Sequence, residues 1–138
     1  MVAPKKKSKK RIKKTGEVFT PTELVNELLD KFLVETWSDK TQTFLDPSCG
    51  DGNFLVEVKK RLMKGLKEVF PNENEREAHI LNNMIFGVDI MPDNVARCRE
   101  RLGIKVNKIR RKPIGPGYRN IKCANFLTCD LDKVFERK

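Results

Sequence analysis

The chain has 138 residues, with 29 Lys and Arg, 19 Asp and Glu and one His, for a net charge of +10. That length holds one compact domain, or one domain with a tail, and not two full domains. A hydrophobic content of 38% and no apolar run near the roughly 20 residues of a spanning helix exclude a membrane protein; the seven Pro and eight Gly exclude collagen-like and low-complexity classes.

The charge is unevenly spread. Residues 1–14 carry Lys5, Lys6, Lys7, Lys9, Lys10, Arg11, Lys13 and Lys14 and no acid, which leaves 21 of the 29 basic residues against 19 acids in the body. A block of like charges repels itself, so residues 1–14 are expected to be a disordered basic tail. Such a tail suits phosphate contact with DNA or RNA, or serves as a solubilising or import-like segment. No apolar h-region follows it, so it is not a secretory signal. The four cysteines, Cys49, Cys98, Cys123 and Cys129, form no C-x-x-C pair, and His79 has no Cys beside it. Neither a metal site nor a disulfide framework is expected, and reduced thiols fit a cytoplasmic protein.

In chain order, Thr15-Gly16-Glu17-Val18-Phe19-Thr20-Pro21 is a turn-rich lead-in. Thr20 or Thr22 can cap a helix that runs to about Thr36, with Pro21 suited to its first turn. Leu24, Val25, Leu28, Leu29, Phe32 and Leu33 recur at spacings of three and four and predict one buried face. Trp37, just past this stretch, reads as a packing residue. Residues 43–46 form a short apolar strand leading into the tight loop Pro47-Ser48-Cys49-Gly50-Asp51-Gly52. A helix is predicted from Asn53 to about Phe70, ended by Pro71, then a shorter one over 73–83, on which His79 reads as a surface or helix-end residue. Met84–Ile90 is a second buried strand. Pro92–Leu102 is helical, with Gly103 as its stop. Residues 104–119 are a basic loop, Asn120–Ala124 a weak third strand, and the rest a short polar helix or tail. Strand, helix, strand, helix, strand in this order predicts an α/β layer with a parallel sheet.

The stretch that carries chemistry is Asp46-Pro47-Ser48-Cys49-Gly50-Asp51-Gly52-Asn53-Phe54. Gly50 and Gly52 permit positive φ and a close backbone approach to a ligand, and the helix after them presents free N–H groups. Open α/β sheets bind ligands beyond the carboxyl ends of their strands, where this loop sits. Asp46 and Asp89 end the first two strands and are expected to face one crevice, with Asp89 placed to hold ribose hydroxyls. The dinucleotide fingerprint fails, because Leu55 is too large for its third small position and Asp89 lies 37 residues past Gly52. No Gly-Lys-Ser/Thr is present, so the P-loop fails too. Asp46 at the base of the loop suits an ammonium or sulfonium rather than a pyrophosphate, which points to an adenosine-type cofactor without phosphates. Cys49 reads as a small filler and not a nucleophile.

Four stretches, Thr15–Pro21 (TGEVFTP), Asp46–Phe54 (DPSCGDGNF), Phe86–Ile90 (FGVDI) and Cys123–Leu127 (CANFL), occur in the order found in adenine-specific DNA methyltransferases, including the methylase subunits of restriction–modification systems, and the chain resembles that family over residues 15–128. The resemblance implies a partial Rossmann-like methyltransferase sheet over residues 15–138, with parallel strands flanked by helices and S-adenosylmethionine as cofactor. By resemblance Phe19, Thr20 and Pro21 close over the methionine end of the cofactor. Asp46, Pro47, Gly50 and Gly52 form its loop. Asp89 holds the ribose, Ile90 packs on the adenine, and Asn125 and Phe126 contact the adenine edge and face. The family more often has Asp where Asn125 stands; Asn both accepts and donates there.

One departure is large. The family's catalytic Asp/Asn-Pro-Pro-Tyr/Phe motif, which seats the flipped base, has no counterpart, since the sequence contains no Pro-Pro pair; Lys138 falls about where the strand leading to it is expected. No catalytic residue is therefore assigned. The expectation is the cofactor-binding part of an adenine-specific DNA methyltransferase that needs a partner chain for the catalytic motif and target recognition. The competing expectation is a catalytically inactive module that binds cofactor or DNA and regulates a partner.

Overall fold

The computed structural model describes residues 20–107, 112, 113 and 115–135. Helix α1 (Thr22–Leu29) starts at Pro21, which caps it without a side-chain hydrogen bond, so neither Thr20 nor Thr22 serves as the expected cap. It also stops seven residues short of Thr36. Lys31 and Phe32 N–H donate to Leu28 and Leu29 O in a tightened last turn, and Leu33 is extended (φ −62°, ψ 144°) before a 3₁₀ turn at Val34–Ser38. The break lets Phe32 leave the helix axis and meet Trp37 and Phe44 edge-on, at ring separations of 5.9 and 6.5 Å, while Trp37 stacks on Phe44 at 5.4 Å. Trp37 is thus a packing residue, as expected.

Strand β1 (Phe44–Asp46) leads through the glycine loop into α2 (Asn53–Gly65), which is shorter than the predicted 53–70. Gly65 packs so tightly under the 3₁₀ turn that a Cβ there would lie 2.1 Å from the Trp37 carbonyl oxygen. Helix α3 (Glu73–Asn83) has the predicted bounds, with Asn72 accepting from Glu75 N–H at 3.0 Å. His79 on α3 is half-buried, tilted against the Phe70 ring and bonded to the Lys40 carbonyl. Strand β2 (Ile85–Asp89) is the central strand and is buried almost throughout. Helix α4 (Pro92–Arg101) takes Pro92 into its first turn, where a missing N–H costs nothing, and Gly103 follows it with φ 78°.

The predicted basic loop holds a small antiparallel ladder instead, pairing β3 (Val106–Asn107) with β4 (Lys112–Pro113). A 3₁₀ turn (Tyr118–Asn120) precedes β5 (Ile121–Cys123), and a one-turn helix α5 (Leu131–Val134) comes last.

The main sheet has the order β1-β2-β5 and is parallel throughout, with Phe44 opposite Ile85 and Gly87 opposite Ile121. Helix α2 packs on β1, α1 and α3, and α4 packs on β2 and β5. The core they enclose includes Leu55, Leu62, Ile80, Met84, Ile85, Val95, Leu102 and Ile121. This is the parallel α/β sheet flanked by helices that the sequence predicts, three strands of a Rossmann-like layer. The α1 stripe is the main correction. Val25 and Leu29 are buried, but Leu24, Leu28, Phe32 and Leu33 are exposed, Leu33 by 75%. Among the described residues no helix is long and apolar enough to cross a membrane.

Candidate functional site

Strands β1 and β2 run parallel with Asp46 opposite Gly87, so both release the chain at the same end of the sheet. After β1 the chain folds back at once. Ser48 N–H donates to Asp46 Oδ1 at 3.1 Å, and Cys49 N–H donates to Val88 O at 2.9 Å. Gly50 (φ 54°) and Gly52 (φ 99°) then take the left-handed conformations that their lack of Cβ permits. Gly52 is doubly required, because a Cβ there would also stand 2.9 Å from Cys98 Sγ.

Asp89 ties this loop to the end of β2. Its Oδ1 accepts from Gly50 N–H at 3.2 Å, and its Oδ2 accepts from Met91 N–H at 3.0 Å and the Asn94 amide at 2.9 Å. The carboxylate is 6% exposed and Asn94 only 1%. The Asp89 carbonyl accepts from Ala124 N–H at 3.0 Å, which brings the segment after β5 to the same place. Ile90 stands beside it, 58% exposed, and Phe126 is 38% exposed. Asn125 is exposed, and its Oδ1 accepts from Leu127 N–H in a local turn. Thr20 O accepts from Asn53 Nδ2 at 2.8 Å, so Thr20 and Pro21 lie over the start of α2. The loop, Asp46, Asp89, Ile90, Asn125 and Phe126 thus gather at one end of the sheet. Phe19 and the eight basic residues of 1–14 lie outside the described residues.

Burial raises the Asp46 carboxyl above its ordinary range, opposed by the Ser48 N–H and reinforced by the Asp89 charge. No Lys or Arg forms an ion pair with Asp46 or Asp89 among the described residues. The Cys49 thiol is pushed upward by its hydrogen bond with Cys98 and by burial, so it is held as a thiol and not a nucleophilic thiolate.

Three supporting residues escape a sequence reading. Arg101 at the end of α4 pairs with buried Asp51 at 3.1 Å and donates to Asn53 Oδ1 at 2.7 Å, bracing the loop from below. Asn94 is buried to serve Asp89. Asp51 and Arg101 are 50 residues apart, and no local pattern announces them; the acid within Gly50-Asp51-Gly52 was the one available hint.

Beside this crevice, a groove of about 660 Å³ follows the open side of β1. Phe32, Phe44, Leu45 and Phe54 line it, and Asp46 and Pro47 close its upper end. Phe44 N–H donates to Met84 O, so Leu45, the next residue of a parallel strand, directs its N–H and C=O away from β2.

A crevice built from a glycine loop and two strand-end acids is common to many cofactor-binding sheets, and comparison with known proteins narrows it. The family model for N-6 DNA methylases matches residues 5–115. A Mycoplasma pneumoniae protein described as an uncharacterized adenine-specific methylase is 35% identical over 97 residues, which cover 67% of this chain and 23% of that protein. The chain thus spans less than a quarter of the length of this curated relative. With most of its length matched and its strand-end motifs gathered as that fold requires, the chain belongs to the N-6 DNA methylase family of adenine-specific DNA methyltransferases.

Proposed function

We propose that this chain is the S-adenosylmethionine-binding part of an adenine-specific DNA methyltransferase, and that methyl transfer requires a partner supplying the catalytic Pro-Pro motif and target recognition. The observation that carries the reading is the pair Asp46 and Asp89, two carboxylates at the mouth of a glycine loop that no cationic side chain neutralises among the described residues. A sulfonium fits that demand where a pyrophosphate does not.

The residues present fit the rest of the cofactor. A carboxylate offers roughly four acceptor sites, and Asp89 uses three on the Gly50 and Met91 N–H groups and the Asn94 amide, leaving one for a ribose hydroxyl. Ile90 offers an exposed apolar surface to an adenine ring, with Asn125 and Phe126 at its edge and face. Gly50 and Pro47 shape the loop, and Thr20 and Pro21 flank it, with Phe19 next in sequence. When bound, the cofactor supplies an electrophilic methyl for the exocyclic nitrogen of adenine. The chain's own part is to bind, orient and exclude water. The eight basic residues of 1–14 would add phosphate contacts to DNA. The β1 edge, unpaired among the described residues, and its apolar groove support the partner requirement, because an unpaired strand edge is a template for another strand.

Titration calorimetry with S-adenosylmethionine tests this. Saturable binding, weakened by Ile90→Asp with the fold intact, is expected; no heat at millimolar ligand overturns the reading. Tritiated methyl transfer to DNA should appear only when a polypeptide carrying Asn-Pro-Pro-Tyr is added. Transfer by the chain alone refutes the partner requirement. Binding with no transfer in either case selects the second reading, of an inactive module that regulates a partner.

A further inference from the structure

A second groove, of about 520 Å³, lies between α2 and α3, away from the β1 edge. That volume falls in the range of small-molecule sites, roughly 300–1,000 Å³. Val56 and Met63 give it apolar walls, Lys64 and Lys67 line its α2 side, and Arg76 and Glu73 line its α3 side. Arg76 is 6% exposed, yet its Nε–H is fully buried with no acceptor and its guanidinium joins no ion pair among the described residues. A guanidinium whose Nε–H is withdrawn from water without a partner is costly, and a largely buried cation of this kind is ordinarily matched by an anion.

The neighbouring carboxylates do not supply that anion. Glu77 is held by Lys59 at 3.1 Å, and Glu57 by Lys60 at 3.1 Å. Glu73 is exposed in the first turn of α3 and forms no ion pair. Lys64 and Lys67 are likewise exposed without ion pairs, so three uncompensated cations face one carboxylate. We propose that this groove is a phosphate-binding site, with Arg76 as the buried anchor and Lys64 and Lys67 as rim contacts. Arg suits the anchoring place because its planar fork matches phosphate oxygens and its charge is permanent. The phosphate is that of a small polyphosphate ligand or of a nucleic-acid backbone. The groove shares Arg101 with the supports of the cofactor loop, but none of the residues assigned to the cofactor itself lines it, so the proposal does not rest on the proposed cofactor.

The test uses the full chain, with sodium pyrophosphate against sodium chloride at equal ionic strength, read by the Arg76 Nε–H resonance in ¹⁵N-correlated NMR and by thermal melting. Pyrophosphate should shift that resonance saturably and raise the melting temperature, while chloride does neither. Lys64→Ala with Lys67→Ala, both exposed, should weaken the pyrophosphate Kd roughly tenfold for each lost cation with the unliganded melting temperature unchanged. Arg76→Met should melt no lower than the parent without ligand, since it removes an unmatched charge, and should lose the pyrophosphate effect. If Arg76→Met fails to fold, the double lysine variant and the resonance shift still decide. A short DNA duplex forms the second arm. A shift by duplex alone assigns the phosphate to a nucleic-acid backbone, and a shift by pyrophosphate assigns it to a small ligand. No saturable shift by either, an equal shift by chloride, or unaltered affinity in the double lysine variant overturns the proposal.

Discussion

Replacing Asp89 by Ala should unfasten the glycine loop from β2. The side chain is 6% exposed and accepts from three donors, Gly50 N–H, Met91 N–H and the Asn94 amide. Asn94 is 1% exposed, so loss of its amide's bond to Asp89 costs about 1–3 kcal/mol, and each backbone N–H, nearer to water, about 0.5–1.5 kcal/mol. Relief of the repulsion on Asp46 returns part of this. The net loss is about 3 kcal/mol, or about 10 °C in Tm for a chain of this size. Asp89→Asn keeps an acceptor but turns an NH₂ toward a donor, and should lose about 2 kcal/mol. In a double-mutant cycle, Asn94→Ala should couple to Asp89→Ala by about 1 kcal/mol. Scanning calorimetry gives all of these. A Tm for Asp89→Ala within about 2 °C of the parent would refute the argument that this carboxylate fastens the loop.

Three further outcomes are expected. Gly65→Ala improves helix propensity by about 1 kcal/mol, but its Cβ would meet the Trp37 carbonyl at 2.1 Å; overpacking of about 2–3 kcal/mol should win, and a higher urea midpoint for the variant would contradict this. Because burial raises the Asp46 pKa, the folded chain holds more protons there than the unfolded chain, and stability from this group falls as pH rises from its ordinary 3.8 through the raised folded value; the Tm advantage of Asp46→Asn should therefore grow with pH in that window, and a constant difference would count against it. Finally, the open β1 edge should drive concentration-dependent self-association, which Phe32→Glu or Leu45→Lys should reduce in sedimentation velocity.

The elements that the sequence disclosed are those whose local signals agree with their surroundings. Residues 85–89 are buried from both sides and read as one apolar run, and α3 and α4 carry Asn72 and Pro92 at their starts. The α1 stripe misled because a spacing of three and four shows that a face is apolar and not what covers it. Val25 and Leu29 find α2, while Leu28 and Phe32 look into the groove. The early end of α1 is set by ring contacts of Phe32 with Trp37 and Phe44 that no window of sequence contains. Two-residue strands such as β3 and β4 leave no period to read. At the site, Gly50 and Gly52 were legible because positive φ selects glycine. The Asp51–Arg101 pair and the Asn94 bond to Asp89 were not, since they join residues through the fold.

The arrangement of the aromatic rings gives the molecule two built-in optical reporters. It has a single Trp and a single Tyr. Trp37 stacks on Phe44 at the wall of the β1 groove, whereas the Tyr118 ring lies 3.9 Å under the Arg99 guanidinium, next to β5. Indole emission therefore senses what settles along one border of the sheet, and phenol emission what disturbs the opposite border, with no label attached.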